Sequence, residues 1–146
     1  MADIERSATT VWNGNLLEGN GHTKSATGVI DTDVTWAART AEPEGLTSPE
    51  ELLASAHATC YAMAFAHHLA GKGHQAEQLT VTSTVTFAPK VGGGFEVGSS
   101  TLKVVGKVAG LNADQFRNEA IEAEKGCPIS NAIRGNVEIT VEPSLA

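Results

Sequence analysis

One alanine-rich segment in the middle of the chain constrains the fold more than any other. Ser48-Pro49-Glu50-Glu51 has the marks of a helix start: an N-cap serine, a proline at the first helical position, and a glutamate placed to complete a capping box. Leu52, Leu53, Ala56, Cys60, Met63, Ala64 and His67 then recur at three-to-four spacing, so they are expected to form the packed stripe. Seven alanines between Ala54 and Ala70 leave room for another backbone to approach closely. Gly71-Lys72-Gly73 supplies the stop, because glycine accepts the left-handed conformation that caps a helix.

Strand patterns lie on both sides of this helix. Residues 8–12 lead into Asn13-Gly14, a strong hairpin signal, with a return strand expected over 16–23. Further strands are expected near 28–30 and 34–36, and residues 40–47, with Pro43 and Gly45, read as a loop. Beyond the helix, residues 79–89 alternate Val81, Val85 and Phe87 with serines and threonines. Gly92-Gly93-Gly94 turns the chain, and 95–108 returns as the partner of a long hairpin. Asn112 and Gln115 offer a second capping box, opening a helix to about Lys125. Pro128 begins a short helical turn that Gly135 ends, and 137–141 is a last alternating strand. With no repeat or linker, the expectation is one α+β domain over 1–146, antiparallel hairpins around one long buried helix.

Composition excludes several classes. A chain of 146 residues with 41% hydrophobic and 18% charged residues can close a core without staples. No apolar run approaches the roughly 20 residues that span a bilayer, and the N-terminal residues lack the pattern of a secretory signal. A net charge of −7 without any Lys/Arg cluster argues against nucleic acid or an anionic membrane as partner. The expected location is the cytoplasm, where a lasting structural disulfide is disfavoured and a transient catalytic one is possible.

The chain has two cysteines, Cys60 in the alanine-rich helix and Cys127 directly before Pro128. They stand too far apart for a CxxC redox pair. A buried helical cysteine is most often a small hydrophobe. Cys127 has the better functional case, since unpaired N–H groups and the dipole at a helical start stabilise a thiolate. A metal is weighed because His57 and Cys60 are three apart, but His67 lies about two turns beyond Cys60, roughly 10 Å along the axis. One ion cannot use both ends of that span. His22 and His74 read as solvated turn residues. Arg39, between strand and helix, reads as an exposed loop charge, and Glu50 as a complement to the helix dipole. In an alternative reading, Arg39 lowers the Cys60 pKa and Glu50 orients it.

Two segments taken together carry a resemblance. Thr47-Ser48-Pro49-Glu50-Glu51-Leu52-Leu53-Ala54-Ser55-Ala56-His57-Ala58-Thr59-Cys60, followed by Gly126-Cys127-Pro128-Ile129-Ser130-Asn131-Ala132-Ile133, resembles the OsmC/Ohr family of thiol peroxidases. The resemblance extends to Val11-Trp12-Asn13-Gly14, Gly28-Val29 and Ala109-Gly110-Leu111. It implies an intertwined homodimer with antiparallel sheets around the long central helix and the active site at the interface. It also implies Cys60 as the peroxidatic thiol, Cys127 as the resolving thiol, Arg39 as the cation and Glu50 as the residue that orients it. The placement of Arg39 is similar to OsmC-type members, whereas the segment from Asn131 to Asn136 is similar to Ohr-type ones.

The implied activity is reduction of hydroperoxides, organic ones preferred, through a Cys60 sulfenic acid and a Cys60–Cys127 disulfide that an external thiol reduces. Leu52, Leu53, Met63 and Phe65 are expected to form an apolar surround, and neither metal nor organic cofactor is required. Two rivals stay open: a non-catalytic stress or small-ligand-binding protein on the same fold, and a thiol-based redox sensor.

Overall fold

Three short strands open the chain. In the computed structural model, which describes residues 1–146, β1 (Ala8–Asn13), β2 (Asn20–Ser25) and β3 (Asp31–Val34) form an antiparallel sheet in that order. Trp12 lies across Gly21 of β2, where an added Cβ would come within 2.7 Å of the indole. The hairpin at Asn13-Gly14 forms, but its return strand begins at Asn20 rather than at residue 16, with residues 14–19 joining β1 to β2. Asn15 organises that loop, accepting from Glu18 N–H through its side chain and from Gly19 N–H through its carbonyl.

Two other expectations shift here. Residues 28–30 are a turn rather than a strand: Gly28 is left-handed at φ +78°, and the Ser25 hydroxyl accepts from Ile30 N–H. Residues 34–36 divide between elements. Val34 ends β3, Thr35 caps the next segment by accepting from Ala38 N–H at 3.1 Å, and Trp36 begins the short helix α1 (Trp36–Thr40). These elements make up Met1–Pro49, the first of two compact units; the second is Glu50–Ala146.

Helix α2 (Pro49–Gly71) begins at its proline and ends as the glycines require. Gly73, at φ +82°, bonds back to the Ala70 carbonyl, and His74 N–H reaches the Leu69 carbonyl, the paired bonds of a left-handed helix cap. The buried stripe is Glu50, His57, Tyr61, Phe65 and Leu69, which differs from the one expected. Cys60 and Ala64 flank it, whereas Ala56 and His67 are exposed and Met63 is 68% exposed. The two aromatics have more apolar surface to remove than alanine or methionine, so they set the helix's rotation. Their rings pack at 5.8 Å, and Phe65 meets Phe116 at 5.3 Å.

The long hairpin β4 (Ala76–Pro89) and β5 (Phe95–Val108) follows as expected. Helix α3 (Ala113–Glu124) carries the reciprocal capping box of Asn112 and Gln115. Helix α4 (Pro128–Ile133) follows, and β6 (Glu138–Leu145) pairs parallel with β5, making the second sheet mixed, in the order β4-β5-β6. A parallel pair cannot be joined by a tight turn. The β5–β6 connection therefore carries α3 and α4, and Phe116, Ala120, Ala123 and Cys127 join Tyr61, Phe65, Leu102 and Val104 in one core. No helix is long and apolar enough to cross a membrane.

Candidate active site

Both cysteines of the second unit are free thiols, and the fold brings them together. Cys60 is half-buried on α2; Cys127 is fully buried as the N-cap of α4. A helix start leaves its first N–H groups without intrahelical partners; Pro128 removes one of them, and those of Ile129 and Ser130 follow. Both lie near sulfur. Ser130 N–H donates to Cys127 Sγ at 3.5 Å, and the Ile129 backbone N–H is close enough to Cys60 to lower its pKa. The Cys127 side chain lies beside Cys60, near enough to raise its pKa. Both thiols thus sit at the first turn of α4.

Polar side chains fix that turn in place. Arg134 Nη2 donates to Glu124 Oε1 at 2.7 Å and to Asn131 Oδ1, and Asn131 Nδ2 donates to the Lys125 carbonyl. Tyr61 Oη donates to the Ala120 carbonyl at 2.8 Å, joining α2 to α3. Beneath α4, His57 of α2 is completely buried between two hydroxyls. Its Nδ1 lies 2.7 Å from Ser100 Oγ on β5, and its Nε2 lies 2.8 Å from Ser130 Oγ. Ser100 also meets Ser83 Oγ across the hairpin at 3.0 Å.

The electrostatics favour a neutral interior. Burial pushes the Cys60 thiol up; the Ile129 N–H works against this, and the hydrogen bond and charge of Cys127 add to it. Burial holds His57 below the usual histidine range, with Glu124 acting weakly in the other direction. Tyr61 is likewise raised, first by burial and then by Glu124 and Cys127.

Other sequence candidates stand as follows. Arg39 is half-buried in the last turn of α1 rather than in a loop, with its guanidinium 5.8 Å from the centre of the Trp36 ring. Glu50 is 8% exposed in the first turn of α2. Arg39 belongs to the first unit; Glu50, Cys60 and Cys127 belong to the second. The expected apolar surround is only partly realised, since Phe65 is core and Met63 faces outward. His22 is not in a turn: it lies on β2 with Nε2 2.6 Å from Asp31 and Nδ1 2.7 Å from Asp33. His57, weighed above only as a metal ligand, has both ring nitrogens engaged by serines. The signal for its role was available: His57 and Ser130 each stand three residues from a cysteine, one helical turn away.

Comparison with known proteins shows what the chain is similar to. Residues 42–142 match the model of the family described as OsmC-like protein. Escherichia coli peroxiredoxin OsmC is 30% identical over 97% of this chain and 97% of its own. Bacillus subtilis organic hydroperoxide resistance protein OhrB is 27% identical over 84% of this chain and 88% of its own. The crystal structure of OhrB superposes with a TM-score of 0.75 and 28% identity, covering 94% of this chain and 98% of that one. A Legionella pneumophila structure described as an organic hydroperoxide resistance protein OsmC gives a TM-score of 0.74 at 26% identity, with 99% of each chain covered.

Proposed function

This chain belongs to the OsmC-like protein family, and from that premise we propose that it reduces hydroperoxides with a pair of thiols. The observation that carries the reading is the pairing itself: two free cysteines from distant segments, brought beside each other at the first turn of α4, with Ser130 N–H on the Cys127 sulfur. The names of its relatives, peroxiredoxin and organic hydroperoxide resistance protein, support the reaction class.

In this scheme the Cys60 thiolate attacks a hydroperoxide oxygen. The O–O bond breaks, the alkoxide leaves and takes a proton to become an alcohol, and Cys60 becomes a sulfenic acid. The Cys127 sulfur then attacks the Cys60 sulfur, forming the disulfide and expelling the sulfenic oxygen as water. An external thiol reduces that disulfide by exchange. Cys60 is the more accessible of the two and meets peroxide first; buried Cys127 resolves it. Arg39 supplies the positive charge that the raised Cys60 pKa calls for, and Glu50 orients it. Organic hydroperoxides are the preferred substrates, and the reducing cytoplasm is the setting that keeps both thiols free.

The same reading makes the working form a homodimer, favoured by the apolar side chains left outward, among them Met63 of α2 and Val11 of β1. Sedimentation would find twice the chain mass; a monomer at assay concentration removes the interfacial site. The central test is a peroxidase assay with a small dithiol reductant, beside peptide mapping after one equivalent of organic hydroperoxide. Turnover and a Cys60–Cys127 linkage are expected. Absence of turnover would return the chain to a binding or sensing role. Turnover without the linkage would leave a one-cysteine enzyme.

A further inference from the structure

The most deeply buried polar feature of the second unit is the chain Ser83–Ser100–His57–Ser130, which links β4, β5, α2 and α4. His57, Ser100 and Ser130 are fully buried and Ser83 half-buried, and polar groups so placed are costly unless each finds a partner. A structural account would be satisfied by any site that paired them. This network is particular in where it ends. Ser130 uses its hydroxyl on His57 Nε2 and its N–H on Cys127 Sγ, so one residue joins the buried ring to the buried sulfur. The preceding residue, Ile129, has its backbone beside Cys60.

We propose that His57 is a positioning residue for the thiol pair: through Nε2 it holds Ser130, and with it the first turn of α4, at the register where Cys127 can bond to Cys60. This deepens the two-thiol reading above and rests on it. Helix α4 has only six residues and contributes little rigidity of its own. Its salt bridge to α3 lies at its C-terminal end, on Arg134. At the sulfur end, the anchor to α2 is His57. A neutral ring donates through one nitrogen and accepts through the other, so two hydroxyls on opposite sides fix its tilt as well as its place. Loosening that anchor separates the sulfurs without touching either.

The two ring nitrogens make the idea testable, because amide side chains imitate them separately. Glutamine reaches the position of Nε2, and asparagine that of Nδ1. The purified protein and its variants are equilibrated in buffers of reduced and oxidised glutathione, which takes two hydrogens from the thiol pair and yields two molecules of reduced glutathione. The fraction of Cys60–Cys127 disulfide gives the effective concentration of one thiol at the other. No peroxide is involved, so a failed peroxidase reading and a failed positioning role give different results.

His57→Asn keeps the Ser100 contact, loses Ser130, and is expected to lower the effective concentration about tenfold or more. His57→Gln keeps Ser130 and should stay within about threefold of wild type. Equal values for folded Asn and Gln variants would overturn the proposal. Should either variant fail to fold, Ser130→Ala and Ser100→Ala carry the same contrast with smaller changes. Ser130→Ala is expected to reproduce the loss and Ser100→Ala to leave the value near wild type; equal effects again overturn it.

Discussion

Cys60 is half-buried, and its surroundings in the second unit raise its pKa, first by burial. As a peroxidatic thiol it therefore needs a cation, the role proposed for Arg39. A rise of one pKa unit is about 1.4 kcal/mol and removes roughly nine-tenths of a minor thiolate population. Arg39→Ala is accordingly expected to move the pH profile of Cys60 alkylation upward and to slow peroxide reduction about tenfold. An alkylation profile that does not move returns Arg39 to a structural role. His57 gives a second pH dependence. Its folded-state pKa is depressed, so the unfolded chain binds the extra proton first, and stability falls as pH drops below about 6.5 through the folded value. His22 acts in the opposite sense, raised by its hydrogen bonds to Asp33 and Asp31, but it is exposed. The comparison to make is urea unfolding of wild type and His57→Gln between pH 7 and 5. The gap between them should narrow on acidification; a constant gap would show that His57 does not titrate over that range.

The elements that could be read from the sequence are those with a local cause. The capping box of Asn112 and Gln115, the proline starts at Pro49 and Pro128, and the glycine turn at residues 92–94 depend on side chains within four residues of one another. The misread elements depend on distant ones. Apolar spacing alone points to the wrong face of α2, because Tyr61 and Phe65 turn the helix toward Phe116, more than fifty positions away. Parallel pairing of β6 follows from the path of α3 and α4, which no alternation within the strand could reveal. In the site, spacing marks both cysteines, His57 and Ser130; the strand serines Ser83 and Ser100 that complete the His57 network have no local signature. The contact of α3 with β5 carries its own prediction. Gly106 lies beneath Phe116, and an added Cβ would come within 2.4 Å of two ring carbons and 3.3 Å of Leu79. Gly106→Ala should destabilise the protein by about 1–3 kcal/mol, the usual cost of overpacking, read from the urea midpoint at unchanged slope. A shift under about 0.5 kcal/mol would mean that the ring can move aside.

At the scale of the whole chain, the proposed disulfide is a long-range cross-link as well as a redox centre. It would tie α2 to the start of α4 and close a loop containing β4, β5 and α3. For a loop of roughly 70 residues, the chain-entropy model places the stabilisation near 4 kcal/mol, before any strain in the native state is subtracted. The reduced fold already brings the thiols beside each other, so the movement needed to bond them is small. A disulfide reduced in every catalytic cycle should nevertheless retain some strain, since unstrained structural bridges resist thiol reductants. The net gain is expected to fall between those limits, at about 1–3 kcal/mol, which for a chain of this size raises the melting temperature by roughly 3–12 °C. Thermal unfolding of the peroxide-oxidised and dithiol-reduced protein would measure the difference. Cys127→Ser, carried through the same treatments, should show no comparable rise. If the oxidised wild type melts at or below the reduced form, native strain cancels the whole entropic gain. The register of α4 would then be set for rapid re-reduction, and the cross-link would contribute nothing to holding the fold.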